Sequence, residues 1–201
     1  ELTSSSRNSF LEIYQWANRN EAPDVAIRAM VAACDNQLGI LPSTTELTHL
    51  MIHLAETGRN DDLTAVSDGL FQREAFSNVL INNAIYLREV TGNSVPGGVE
   101  ALTFISKKNP HVVGFQTAKI LALINRERFI EAHRAATEVI QQHEIDDLPA
   151  AESIILAGAF RLAGRRTLLS QNQLEARFEN LMQAEREAFE PWFAEKPAEE
   201  E

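Results

Sequence analysis

Breaks between amphipathic stretches recur along this chain about every 34 residues. Gly58 and Gly92 each separate two such stretches, and they lie 34 residues apart. One further period leads to Arg126 and one earlier period leads to Asp24, and both lie in short polar breaks. A helical hairpin of this length cannot bury its apolar stripe alone, so copies stack and share one core. The spacing therefore predicts an all-α protein, an α-solenoid of about four to five helical hairpins.

Apolar residues at helical spacing fill the intervals between these breaks. The clearest interval is 43–58, where four apolar residues follow the i, i+3, i+4, i+7 pattern of a helix with one buried face. They are Leu47, Leu50, Met51 and Leu54. Ser43 or Thr44 can cap the start of this helix, and Gly58 closes it.

The last part of the chain is more polar than the rest. Segment 168–193 is charged but keeps a helical stripe, and terminal helices of solenoids need a polar outer face. The pattern of this segment therefore predicts a C-terminal capping helix. We expect a single helical-repeat domain over 1–193 and an acidic disordered tail over 194–201.

The charge balance limits the partners that this chain can bind by electrostatics alone. The net charge is −11 and the isoelectric point is about 5.0. Broad nucleic-acid binding requires Lys and Arg to neutralise phosphates, so the balance argues against it. A local basic patch is still compatible with the sequence, and its candidates are Lys107, Lys108, Arg126 and Arg128.

The sequence predicts a protein of the cell interior. Cys34 is the single cysteine, so no internal disulfide framework exists, and we expect it to be a small buried hydrophobe. The sequence has no apolar run of the roughly 20 residues that a membrane span needs. The first residues show no secretory signal, although a targeting peptide upstream of them is compatible with a chain that does not begin with Met.

One interval resembles a pentatricopeptide repeat. Segment 39–51 reads GILPSTTELTHLM, with Leu54 and Gly58 following, as in the family pattern of a G-I-x-P end before a helix with a paired L-I. Asn82, Asn83, Ala84 and Ile85, followed by Gly92, resemble the next copy. The helix over 132–140 is similar to a tetratricopeptide repeat, and the resemblance covers about residues 9–142. It implies a right-handed α-solenoid.

The resemblance also implies candidate RNA contacts. In pentatricopeptide proteins that read RNA, the fifth and last residues of each motif contact one base. Here Thr48 and Asn82 stand at the fifth positions, and about Ser77 and His111 stand at the last positions, where Asn or Asp is usual. Members without the code are expected to act as protein scaffolds or as parts of ribonucleoprotein assemblies, mostly in mitochondria.

Chemistry of other kinds has few candidates in the sequence. Glu46, His49 and His53 share one helix face, a spacing that can chelate Zn²⁺, but the pattern favours a solvent-facing polar stripe. No nucleophile elbow and no phosphate-binding glycine motif occurs, so we expect no enzyme activity and no cofactor. Trp16 and Trp192 are candidate partner anchors, although packing within the protein is the favoured interpretation.

These observations favour a non-enzymatic helical-repeat scaffold that binds another protein. Its setting would be a mitochondrial assembly for RNA metabolism or translation if the pentatricopeptide resemblance holds. The alternative is direct binding of single-stranded RNA by Thr48, Asn82 and nearby Lys or Arg. A third alternative is a helical regulatory domain of a larger enzyme or secretion machine.

Overall fold

The computed structural model describes residues 9–35, 43–72 and 77–194. These ranges contain eleven α-helices, two short 3-10 helices and no strand, so the all-α prediction is confirmed. The α-helices are α1 Ser9–Arg19, α2 Pro23–Asp35, α3 Thr44–Glu56, α4 Asn60–Phe71, α5 Asn78–Val90, α6 Gly98–Lys108, α7 Val113–Ile124, α8 Phe129–Ile140, α9 Ala150–Leu162, α10 Gln171–Phe178 and α11 Gln183–Phe189. The 3-10 helices are Ile145–Asp147 and Glu190–Trp192. The predicted tail beyond residue 194 and the side chain of Cys34 lie outside the described residues.

The chain divides into two compact units, Glu1–Arg88 and Glu89–Glu201, and the division falls within α5. In the first unit, α1 packs on α2, α2 packs on α4, and α3 packs on α4. The apolar stripe predicted for α3 is fully part of this core, as Leu47, Leu50, Met51 and Leu54 are all buried. A capping box between Ser43 and Glu46 begins α3, because side-chain oxygens there accept hydrogen bonds from otherwise unpaired backbone N–H groups.

In the second unit, the most apolar helices are also the most enclosed. Helix α7 contacts α6, α8 and α9, and α9 contacts α8, α10 and α11 as well. A helix that is apolar on most of its sides must be surrounded by others. Residues 120–124 of α7 and residues 153–159 of α9 are accordingly buried without interruption.

A left-handed backbone residue closes every second helix from α1 to α9. Helices α1, α3, α5, α7 and α9 begin at residues 9, 44, 78, 113 and 150, so successive starts lie 34 to 37 residues apart. The residues with positive φ just after them are Glu21, Gly58, Gly92, Glu127 and Gly164. After four of these helices, the next backbone N–H donates to a carbonyl five residues back, as in Arg59 N to Leu54 O at 2.9 Å. This Schellman-type end satisfies carbonyls that the helix leaves unpaired.

The C-terminal segment differs from the single capping helix that its stripe predicts. It forms α10, α11 and a terminal 3-10 helix. The break between the two α-helices is stabilised locally, because Asn180 Nδ2 donates to Ala176 O at 2.8 Å and Met182 N donates to Glu185 Oε2 at 3.1 Å. Such caps compete with a continuous helix, which a stripe of apolar residues does not reveal.

Candidate interaction surfaces

Thr48 and Asn82, the candidate base-reading residues, are both engaged within the first unit. Thr48 Oγ1 accepts a hydrogen bond from Asn83 Nδ2 at 3.3 Å, and Asn82 Nδ2 donates to Asn83 Oδ1 at 3.4 Å. Asn82 is buried, and its Oδ1 has no hydrogen-bond partner in the described part of the chain. The structure thus pairs Thr48 with the asparagine that follows the predicted one, and it leaves little of Asn82 accessible.

Arg126 is held inside the second unit by a buried carboxylate. Its Nη1 donates to Glu89 Oε1 at 3.0 Å and to Ala122 O at 2.7 Å, and its Nη2 donates to Val95 O at 3.0 Å. The other carboxylate oxygen of Glu89 accepts from Ser94 Oγ at 2.8 Å and from Asn125 Nδ2 at 3.0 Å. Because a buried carboxylate must be paired to be tolerated, Arg126 acts as a structural link.

Arg128 is also paired, although at the surface. Its Nε and Nη2 donate to the two carboxylate oxygens of Glu131, both at 2.7 Å. These hydrogen bonds raise the pKa of Arg128 and lower the pKa of Glu131. Both predicted arginines therefore already have carboxylate partners.

Lys107 and Lys108 end α6 and are exposed. Lys108 Nζ lies 4.3 Å from the centroid of the Phe104 ring, a cation–π contact. Phe104 is itself 58% exposed, so this pair presents a cation and an aromatic ring to solvent.

Lys107 lines a polar cleft that α6, α7 and α8 form together. The cleft has a volume of about 330 Å³, and Lys119, Glu138 and His143 also line it. Burial lowers the pKa of Lys119, Glu138 opposes that shift, and Lys107 adds to it. Within the described residues, neither lysine forms an ion pair with Glu138. Two ammonium groups against one carboxylate make this cleft chemically suited to an oxyanion.

The weak metal candidates lie on α3, where Glu46 has a structural role. Glu46 Oε2 accepts hydrogen bonds from Ser43 N and Ser43 Oγ, both at 2.8 Å, so it caps the helix. His49 and His53 are exposed. The described ranges bring no three His, Cys, Asp or Glu side chains together in a way that could hold a metal ion.

The two tryptophans have different environments. Trp16 on α1 is 56% exposed, contrary to the interpretation that it packs in the core, and Ile13 lies exposed one turn earlier. Trp192 instead stacks on Phe189, with ring centroids 4.8 Å apart, and lies against the backbone of Gly158. Trp16 is therefore available as an anchor for a partner, whereas Trp192 holds the C-terminal segment on α9.

An open groove with an aromatic wall runs along the C-terminal segment of the second unit. Its volume is about 970 Å³, and its apolar lining includes Leu174, Phe178, Pro191 and Phe193. The rings of Phe178 and Phe193 meet edge to face, with centroids 5.9 Å apart. Four carboxylates surround this lining, those of Glu175, Glu179, Glu187 and Glu190, with Arg186 as the single cation.

Both walls of this groove are anchored to the rest of the second unit. On one side, Arg177 Nη2 donates to Asp146 Oδ1 at 2.9 Å and thereby ties α10 to the first 3-10 helix. On the other side, Arg161 Nη2 donates to Ala194 O at 3.2 Å, and its guanidinium lies 5.7 Å from the Phe193 ring centroid. The groove is thus a preformed feature of the folded chain.

Sequence reasoning did not find the groove or Lys119. Lys119 is the one charged residue of the mostly apolar α7, and that isolation is a signal in the sequence. The groove gives no comparable signal, because it depends on how α10 and the terminal 3-10 helix meet.

No family model, no curated protein and no solved structure matches this chain. None of the helices in the described ranges combines the length and the apolar character needed to cross a bilayer.

Proposed function

We propose that this chain is a non-enzymatic helical-repeat scaffold that binds a protein partner. Its proposed architecture is a right-handed α-solenoid of four to five stacked hairpins, ended by the C-terminal helices. The pentatricopeptide resemblance extends the proposal to a mitochondrial assembly for RNA metabolism or translation.

Side-chain contacts at the length of one hairpin support this proposal most strongly. In the first unit, Arg59 pairs with Asp24 at 2.7 Å, and Asn83 bonds Thr48, both across 35 positions of the chain. In the second unit, Arg126 pairs with Glu89 across 37 positions. Stacked copies of a repeat produce such contacts, since each copy touches mainly its neighbours. Solenoids of this kind usually bind other macromolecules along extended surfaces.

The exposed features favour protein as the partner. The groove and Trp16 present aromatic and apolar surface, which dominates the energy of protein interfaces. Single-stranded RNA remains the alternative, and its support is now concentrated on Lys107 and Lys108. Arg126 and Arg128 already neutralise carboxylates of the chain itself.

An RNA titration separates the two proposals. We expect a mixed-sequence single-stranded RNA to show no change in fluorescence anisotropy with the full chain, even at low salt. Tight binding with a steep salt slope would favour the RNA alternative over the scaffold. In that case, Lys107→Gln/Lys108→Gln should weaken binding, and Arg165→Gln/Arg166→Gln is the control with the same change of charge on exposed residues.

Capture of partners from the native source tests the scaffold directly. We expect the full chain to retain specific proteins after nuclease treatment of the extract, identified by mass spectrometry. Complete loss of all captured proteins upon nuclease treatment would mean that RNA carries the association, and it would contradict the scaffold proposal.

A further inference from the structure

The C-terminal groove combines an apolar lining with a negatively charged edge, and the two would bind different parts of a ligand. Its walls are apolar and aromatic, with Leu174 and Phe178 one turn apart on α10 and Phe193 facing them. Its edge carries four glutamates and Arg186, and Arg161 lies against the Phe193 ring, so negative charges outnumber positive ones. An apolar side chain of a ligand can pack against these rings, while carboxylates around it attract cations.

The positions of the glutamates place negative charge on both sides of the apolar floor. Glu175 and Glu179 lie on or directly after α10, whereas Glu187 and Glu190 lie on or directly after α11. Within the described residues, Glu175 and Glu187 accept side-chain hydrogen bonds from neutral amides, Gln171 Nε2 at 2.9 Å and Gln183 Nε2 at 2.7 Å, so those bonds do not neutralise their charges. All four glutamates are exposed and form no ion pair within the described ranges. This arrangement is complementary to a segment with cations flanking an apolar anchor.

We propose that this groove docks a basic amphipathic segment of a partner protein, with one aromatic or aliphatic side chain packed against the contacting rings of Phe178 and Phe193. The inference rests on the proposed scaffold function and names the partner chemistry of one of its surfaces. A groove of this form accepts a short helix through residues spaced by three or four positions. Lysines or arginines on the flanks of that helix then meet the glutamates on the two sides.

The chain's own continuation is the competing occupant. The segment after Ala194 contains Glu195, Lys196 and then three glutamates at 199–201. Its excess charge has the same sign as the groove edge, so Coulomb repulsion disfavours it there. A chain ending at Ala194 is therefore expected to bind a basic peptide about as tightly as the full chain does.

A peptide library defined by charge tests the proposal. The probes are short labelled peptides with one central Phe, Leu or Trp, flanked by Lys and Arg, by Ser and Gln, or by Asp and Glu. We expect the full chain to bind the basic series, to bind the neutral series more weakly, and not to bind the acidic series. Binding should weaken with added salt, because exposed charges are screened.

Charge reversal locates the binding at the groove. Glu179→Lys/Glu190→Lys changes two exposed groove residues that form no ion pair in the described residues, so the fold should be retained. We expect it to weaken basic peptides by roughly tenfold or more. The matched control is Glu127→Lys/Glu144→Lys, which changes charge equally at exposed positions outside the groove and should alter affinity by less than about threefold.

Several outcomes would overturn the inference. These are no binding by any peptide, a preference for acidic peptides, equal weakening by both double variants, or binding only after truncation at Ala194. Equal weakening would still leave a protein-binding chain, so the scaffold function would stand while the groove assignment would fall. Binding of RNA and of no protein partner would contradict the scaffold function. That outcome comes from the titration above and does not depend on the peptide experiments.

Discussion

Single residues at the ends of helices show how regular spacing arises from backbone geometry. Gly58, Gly92 and Gly164 have positive φ, and a Cβ added at any of them would find no heavy atom within 4 Å. Glu21 and Glu127 adopt the same conformation with φ of 52° and 56°. The geometry of the turn, rather than crowding around it, therefore determines the preference for glycine at these positions.

Replacement of Glu127, which has a positive φ, is expected to increase the stability of the protein. We expect Glu127→Gly to raise the free energy of unfolding by about 1 kcal/mol, because glycine adopts positive φ without a steric cost. Glu127→Ala is the control, since it removes the charge but keeps the Cβ, and it should give no such gain. Conversely, Gly58→Ala should lower stability by about 1 kcal/mol. Chemical denaturation checks all three, and a gain from the alanine variant equal to that from glycine would disprove the backbone explanation.

Two arginines close together in sequence differ in what they stabilise. Arg126 neutralises the buried Glu89, whereas the pair between Arg128 and Glu131 is exposed. We expect Arg126→Ala to cost about 3 kcal/mol of stability, since it leaves a buried carboxylate without its cation. Arg128→Ala should cost much less, because solvent screens its exposed ion pair. Thermal or urea denaturation measures both, and equal effects would show that Arg126 does not have the structural role assigned to it.

At the scale of helices, close packing joins the end of the chain to α9. A Cβ added to Gly158 would lie 2.5 Å from Trp192 Cε3, so only glycine permits this approach. Gly114 in α7 offers a contrast, because a Cβ there would meet Glu152 Oε1 at an ordinary 3.7 Å. Gly158 and Gly114 therefore have different reasons to be present.

Substitution of these glycines tests the packing of the C-terminal segment. Gly158→Ala should displace Trp192, lower stability by about 1–3 kcal/mol and speed amide hydrogen exchange in α10 and α11. Gly114→Ala should be neutral or stabilising by up to about 1 kcal/mol. Tryptophan fluorescence in a Trp16→Phe background reports the displacement. An unchanged spectrum and unchanged exchange in Gly158→Ala would refute the contact.

Local patterns predicted the helices more reliably than they predicted the contacts between them. The stripe of α3 and its cap at Ser43 follow from residues within about two turns of each other, and the structure confirms both. The pairing of Arg126 with Glu89 joins residues 37 positions apart, and the exposure of Trp16 depends on which helices cover α1. Neither property is encoded in a local window, because tertiary packing decides it. For the same reason, the sequence does not reveal that Thr48, Arg126 and Arg128 have partners within the chain.

At the scale of the whole molecule, the proposed solenoid requires successive hairpins to stack. The starts of α1, α3, α5, α7 and α9 recur every 34 to 37 residues, and contacts within each unit join residues one hairpin apart. A stack places each turn further along one direction, with neighbouring helices about 10 Å apart. A closed bundle would instead return the last hairpin to the first.

Distances between spin labels test this stacking most directly. Pairs of labels would be placed at residues 21 and 56, 21 and 127, and 21 and 165 in a Cys34→Ala background. Pulsed electron paramagnetic resonance would measure the distance between the two labels of each pair. The proposed solenoid predicts that the distance increases through this series, with the last pair separated by several hairpin widths. A distance between residues 21 and 165 as short as that between residues 21 and 56 would contradict it.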